Sequence, residues 1–377
     1  MDGDFVSIPT LDLSLARSSE TKERFLSELR NALVRVGFFY VKNHSIPGHV
    51  QQDALQQSMA FFNLPLEKKL EIETVYSKHF LGYNRMDAEK TSARADHNES
   101  IAIGADLLAP SADEPVYLNL HGPSQWPDEI AAPGFRKAIE SYRSAVQNLA
   151  TEFTILIEEA LGLKPTSVTR LFNDSPFSRL KITSYPPPPR QTHAEDHQQG
   201  VGAHKDGVFM TYLLQGGEHN CLEVQNKSGA WIPVPPIPGT VVVNIGRLLE
   251  ILTHGVCTAT THRVLLSPDG FYGPSGEPLG PRLSLPFFQH VNLRLKPDDL
   301  YLDIPRHTAD LVKDERVISD AGTFFSGLFD NCVGDLVFVS MMTSFQEAAA
   351  KWYPELLPRA LKKQAEAKQL DSQQRTV

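Results

Sequence analysis

Ala203-His204-Lys205-Asp206-Gly207 is the stretch of this chain best equipped for chemistry. On an extended strand, successive side chains alternate between faces, so His204 and Asp206 project from one side and Lys205 from the other. An imidazole and a carboxylate presented together make two points of a metal grip. One more nitrogen from a neighbouring strand would complete it. Two histidines and one carboxylate on one face leave positions open opposite, a donor set that suits a ferrous ion and also zinc.

Two downstream residues could supply the third donor. His254 is followed by Gly255 and reads as a turn residue. His262 lies inside the β-prone run 258–264 and is the preferred candidate. His97 and His193 fall in polar, loop-like segments, and with His197 and His219 they read as surface residues. Arg282 and Ser284 share a strand face by the same alternation, and a guanidinium fork beside a hydroxyl suits a carboxylate held end-on. An arginine in a run as apolar as 283–288 needs a partner, because an unpaired buried charge is costly. Lys181, Thr183 and Tyr185 share a face upstream and could add polar contacts. Phe209, Phe288 and Tyr83 are candidates for contact with a bound small molecule.

The elements that must position these groups are legible in outline. Residues 5–15 read as extended. A helix follows from Glu20, with Phe25, Leu29, Leu33 and Val36 on one face, and Gly37 ends it. Residues 38–41 form a strand. Pro47 opens a second helix that turns Leu55, Met59 and Phe62 inward. Residues 66–130 read as loops and short strands that cover something. Residues 134–161 carry the clearest helical stripe, Phe135, Ile139, Tyr142, Val146, Leu149, Phe153, Leu156 and Ala160, with Gly162 as cap, and this helix is expected to back a sheet. Short β-prone runs then recur at 180–185, 207–215, 221–225, 231–234, 239–245, 256–265 and 282–290, separated by Gly, Pro and Asn, which points to a sandwich or barrel. From about 345 the pattern is helical again, and the last seven residues read as disordered.

The bulk numbers fit one β-rich core with extensions. The chain has 377 residues, 41% hydrophobic and 21% charged. Its net charge of −9 argues against a non-specific nucleic-acid binder. Three widely spaced cysteines, with no Cys-x-x-Cys pair, suit a reduced intracellular protein rather than a disulfide scaffold or a structural zinc site. The opening Met-Asp-Gly-Asp-Phe has neither the basic nor the apolar region of a signal peptide, and no apolar run is long enough to span a membrane, so a cytoplasmic location is expected.

Taken together, 37–44 (GFFYVKNH), 61–65 (FFNLP), 185–187 (YPP), 202–206 (GAHKD), 231–239 (WIPVPPIPG), 243–246 (VNIG), 262–264 (HRV) and 282–284 (RLS) resemble, in order and spacing, the Fe(II)/2-oxoglutarate-dependent dioxygenases of the isopenicillin N synthase type. The resemblance implies a mainly β, α+β protein with a double-stranded β-helix (jelly-roll) core and flanking helices. It implies an N-terminal region over 1–130, a catalytic core over 131–345 and a helical extension over 346–377. His204, Asp206 and His262 would bind iron. Arg282 and Ser284 would anchor 2-oxoglutarate, with Tyr185 and Thr183 near it, Thr183 standing where many members have Asn. The cosubstrate would be split with O2 to succinate and CO2 while a small organic molecule is hydroxylated, desaturated or cyclised, by family habit in specialised metabolism. Three departures stand out. The 265–281 segment is about ten residues longer than usual and rich in Gly and Pro, which predicts a protruding hairpin. Gly246-Arg247 replaces the common Gly-Asp. Residues 301–345 have no counterpart and could form a substrate lid. Two competing readings are an oxidase of the same fold that takes all its electrons from substrate, separable by succinate release, and a catalytically silent metal-binding jelly roll.

Overall fold

Fourteen strands account for the β-prone runs among the residues that this computed structural model describes, 4–91, 94–173, 177–189, 198–312 and 332–374. In the first half they are β1 Thr10–Asp12, β2 Phe38–Lys42, β3 Gly82–Asn84, β4 Lys90–Thr91, β5 Arg94–Ala95 and β6 Glu99–Ile103. The second half supplies β7 Ser178–Tyr185, β8 Gln198–His204, β9 Met210–Gly216, β10 Leu222–Gln225, β11 Trp231–Pro233, β12 Thr240–Ile245, β13 His262–Leu266 and β14 Arg282–Gln289. Eight form a large sheet in the order β1-β2-β12-β9-β14-β7-β6-β3, and four form a small one, β11-β10-β13-β8.

The two sheets face each other across a shared apolar layer. Tyr40, Tyr185 and Val242 of the large sheet meet Leu222, Val224, Val264 and Leu266 of the small one. Alternation along β7 explains how one strand serves two layers: Leu180 and Ile182 belong to the larger core behind the sheet, while Tyr185 turns into the barrel. Non-local strand pairing of this kind buries backbone polar groups in ladders and leaves loops at the barrel mouth, where side chains can converge.

Helices cover the outer face of the large sheet. They are α1 Lys22–Arg35, α2 Gly48–Phe62, the short α3 Leu66–Leu70, and α4 Phe135–Ala160. All eight stripe residues of α4 are buried. Its Phe153 stacks on Phe39 of β2 and meets Tyr212 of β9 edge-on, each at 6.0 Å between ring centroids. Each such aromatic contributes on the order of 1.5–3 kcal/mol by burial, which fixes the sheet against the helix.

The structure departs from the sequence reading at identifiable points. The inward face of α2 is Ala54, Ser58, Phe61 and Phe62, with Leu55 and Met59 only half-buried, because a stripe of period 3.6 can be set one residue off when its edge residues are also apolar. Residues 256–261 are not strand; β13 begins at His262. β8 upstream of His204 and the helices α5 Arg247–Leu252 and Val333–Ser344 were not anticipated. Val333–Ser344 is apolar on nearly all sides and therefore shows no helical stripe. The C-terminal helix Leu357–Gln374 runs through most of the tail expected to be disordered. The long segment before β14 does close as a hairpin, with an antiparallel bridge between Tyr272 and Pro278. Much of the expected lid lies outside the described residues. No helix among the described residues is long and apolar enough to cross a membrane.

Candidate active site

His204 ends β8 and His262 begins β13, and the two are direct cross-strand partners. Their ring centroids lie 4.3 Å apart. β8 uses three residues from Val201 to His204 where β13 uses two from His262 to Val264. That extra residue is a bulge, a device that re-aims side chains at a barrel rim. Asp206 is not on the strand: the chain has left β8 by then, so strand alternation does not explain its direction. Its position comes from the backbone instead. Its carbonyl accepts from the Arg247 N–H at 2.8 Å, where Gly246 leads β12 into α5. Gly246 has to be glycine here, because a Cβ would sit 1.8 Å from the Val208 carbonyl oxygen.

The result is convergence. The ligand-capable atoms of His204, Asp206 and His262 all lie within 4.8 Å of one another. Asp206 Oδ1 is 3.4 Å from His204 Nε2 and 3.6 Å from His262 Nε2. Every other polar atom of the three is engaged elsewhere. His204 Nδ1 faces the Gly202 carbonyl at 2.8 Å and His262 Nδ1 faces the Thr260 carbonyl at 3.1 Å. A carbonyl can only accept, so both protons reside on Nδ1 and both Nε2 lone pairs point to the common centre. Asp206 Oδ2 accepts from the Thr211 hydroxyl at 2.6 Å and from Asn244 Nδ2 at 2.8 Å, which leaves Oδ1 for the centre. Burial alone would raise the Asp206 carboxyl, but His262, His204 and the Thr211 hydroxyl outweigh it and hold it far below the usual carboxylate range. Burial, with His204 beside it, pushes the His262 imidazole down to about 4, so it stays neutral and able to donate its lone pair. Phe38 of β2 packs edge-on against His262 at 5.1 Å. Burial would lower His204 as well, but the Asp206 carboxylate outweighs it and holds this imidazole above its ordinary value, so a metal would bind there in place of a proton. The chemistry of this donor set, two imidazoles and one ionised carboxylate with open space alongside, fits a ferrous ion.

Deeper in the barrel, Arg282 is only 1% exposed. It pairs in register with Tyr185, and Ser284 pairs with Thr183, so the four stand together on the inner face. The Arg282 guanidinium lies over the Tyr185 ring at 4.9 Å. Its Nη2 donates weakly to Gln215 Oε1 at 3.3 Å, and its Nη1 is buried without a partner among the described residues. A buried guanidinium with an orphaned donor and no carboxylate paired with it among the described residues is fitted to receive an anionic oxygen. Lys181, on the same face, is instead committed to an ion pair with Glu89.

The remaining candidates scatter. Phe288 lines a 330 Å³ cavity that also has Asp206 in its wall. Tyr83 borders a wider 1080 Å³ cleft that reaches His204, but its ring is buried and its hydroxyl donates to Glu99 at 2.6 Å. Phe209 lines neither space; it is fully buried and packs edge-on against Phe172 at 5.1 Å. His254 sits at positive φ in a turn, against Tyr301. His219 is no surface residue: it is buried, with Nε2 at 2.9 Å from the Gly280 carbonyl. His97 bonds Asp87 near the surface, and His193 and His197 lie outside the described residues. Sequence reasoning gave no role to Thr211 or Asn244. Asn244 carried a signal, a lone amide inside the apolar run 241–245; Thr211 carried none, since threonine is an ordinary strand residue.

Comparison with known proteins bears on this geometry. Residues 8–129 match the family described as non-haem dioxygenase in morphine synthesis N-terminal, and residues 176–291 match the 2OG-Fe(II) oxygenase superfamily. The chain is 55% identical to a 2-oxoglutarate-dependent dioxygenase of Gibberella zeae, over 100% of this chain and 99% of the relative. It is 40% identical to the 2-oxoglutarate-dependent dioxygenase frbJ of Dothideomycetidae sp., over 96% of each. Among solved structures, a full-length Neurospora crassa protein crystallised with alpha-KG and 5-formyluracil is similar at a TM-score of 0.64 and 27% identity, covering 80% of this chain and 88% of that one.

Proposed function

Since this chain belongs to the 2-oxoglutarate-dependent dioxygenases of the 2OG-Fe(II) oxygenase superfamily, we propose that His204, Asp206 and His262 are its iron ligands and that Arg282, with Ser284, Thr183 and Tyr185 around it, receives the distal carboxylate of 2-oxoglutarate. The Fe(II)–cosubstrate pair supplies the oxidising chemistry when bound, splitting 2-oxoglutarate to succinate and CO2 and using O2 to oxidise a substrate C–H. The protein's own part is preorganisation. The carbonyls of Gly202 and Thr260 keep both imidazoles in the tautomer that ligates. Thr211 and Asn244 keep the carboxylate from turning or binding through both oxygens. The Arg282 guanidinium sits over the Tyr185 ring, which helps hold the anchor in place.

One observation carries the reading: two buried donors and the half-buried His204 face a common point while every other side-chain polar atom they own is satisfied. The substrate is a small organic molecule seated in the 330 Å³ cavity against Asp206, processed in specialised metabolism in the cytoplasm. In support of a small substrate, the Neurospora crassa neighbour's crystals hold 5-formyluracil with alpha-KG. The test is anaerobic addition of Fe(II) and 2-oxoglutarate to the pure protein. A weak visible charge-transfer band is expected in the wild type and should vanish in Asp206→Ala. A band that survives Asp206→Ala would remove that residue from the ligand set.

A further inference from the structure

The 330 Å³ cavity beside Asp206 is lined at one end by two groups that the iron and cosubstrate do not use, Arg179 and His290. Both are more than nine-tenths buried. Arg179 is held with unusual rigidity. Its Nη1 donates to the Phe80 carbonyl at 3.0 Å and to Met341 Sδ at 3.3 Å, and its Nη2 donates to the His79 carbonyl at 2.6 Å and, more weakly, to the Leu120 carbonyl at 3.4 Å. These neutral acceptors fix the plane of the guanidinium but do not cancel its charge. Its Nε–H is buried with no acceptor among the described residues. His290 Nδ1 is likewise buried and unpartnered. The two groups flank one ring: the Arg179 guanidinium lies 5.3 Å from the centroid of Phe177, and the His290 ring 5.1 Å.

Arg179, Lys205 and Arg247 line the cavity together with Asp206, whose free oxygen is assigned to the metal. Lys205 has a buried partner of its own in Glu250 at 3.8 Å. No carboxylate pairs with Arg179 among the described residues. Apart from Ser340, the rest of the wall is apolar, with Val208, Phe288, Leu336 and Val337 in it. A buried cation with a free, immobilised donor demands an anionic acceptor, and the demand is met when the occupant brings one.

We propose that the substrate carries a carboxylate, received by the Arg179 Nε–H together with His290 Nδ1, with its apolar body lying along Phe288 towards Asp206. This rests on the assignment of Asp206 to the metal. It deepens that assignment by naming the substrate class: a small organic acid distinct from the 2-oxoglutarate held at Arg282.

The experiment uses the protein loaded anaerobically with Fe(II) and 2-oxoglutarate. The probes are a panel of small aryl and alkyl carboxylic acids and their matched primary amides, with binding read by calorimetry. Acids are expected to bind about 10- to 100-fold more tightly than their amides, the range of a charge-assisted hydrogen bond. Arg179→Met is expected to abolish that preference while leaving the charge-transfer band and the 2-oxoglutarate affinity intact. Acids and amides binding the wild type equally, no acid binding at all, or a preference that persists in Arg179→Met would each overturn the proposal. If Arg179→Met fails to fold, the wild-type comparison and Arg179→Lys, expected to weaken the preference because it cannot reproduce the fixed Nε–H, still decide. A missing charge-transfer band in the wild type would count against the iron assignment instead, so the two failures are distinguishable.

Discussion

At the scale of single residues, the site works by using up alternatives. Each proposed ligand has two candidate donor atoms, and the protein occupies one of each pair. Asn244→Ala frees Asp206 Oδ2 from one of its two partners. Iron affinity is expected to fall about 10- to 100-fold with the fold intact, checked by metal titration and circular dichroism; unchanged affinity would reduce Asn244 to packing. Arg282→Ala removes the buried cation whose Nη1 lacks a protein partner. It is expected to weaken 2-oxoglutarate binding by about 2–5 kcal/mol in calorimetry while iron affinity stays within a few-fold of wild type. Of the proposed ligand and anchor residues, Arg282 stood out as a charge in the apolar run 282–288, and His262 as a histidine in the Thr-rich run 258–264, of which only 262–264 is strand. Thr211, His290 and the committed role of Arg179 did not stand out. Their meaning comes from partners far away in the chain, and nothing local marks them.

At the scale of elements, the strands and the long helix were legible where the apolar period was clean. α4 and β14 are examples: one stripe of period 3.6 and one compact β-prone run, each bounded by turn formers. The signal failed where tertiary contacts overrode local pattern. β8 is short of branched apolar residues and survives through its ladder with β13. α5 is six residues long, too short to show a period. The junction between β12 and α5 matters most for chemistry, because it carries both Gly246 and the N–H that positions Asp206. Gly246→Ala puts a methyl against the Val208 carbonyl, so the backbone on one side has to move. A loss of roughly 1–3 kcal/mol in urea denaturation is expected, together with weakened iron binding. A variant as stable as wild type with full iron affinity would show that the junction yields at no cost.

At the scale of the whole molecule, the buried imidazoles make folding sensitive to acid. Burial, reinforced by Arg179, pushes His290 down to about 3, and burial with His204 pushes His262 to about 4. In the unfolded chain both titrate near the ordinary value of about 6.5. Between that value and the depressed ones, the unfolded state binds more protons than the folded state, so stability rises with pH and is lost as pH falls through the window. Asp206, depressed in the folded state, acts in the same direction at lower pH. Chelator-treated protein is expected to show a lower urea midpoint at about pH 4.5 than at about pH 7, with a shallower dependence in His290→Gln. Equal midpoints at the two values would contradict this burial.

The order of the large sheet also sets what can be cut from this protein. The segment 176–291 that matches the oxygenase superfamily supplies β12, β9, β14 and β7, and strands from the first 103 residues close it on both flanks, β1 and β2 on one side and β6 and β3 on the other. A fragment restricted to the matched segment would carry every proposed ligand and still present two raw rows of backbone donors and acceptors to its neighbours, an invitation to fibrils rather than catalysis.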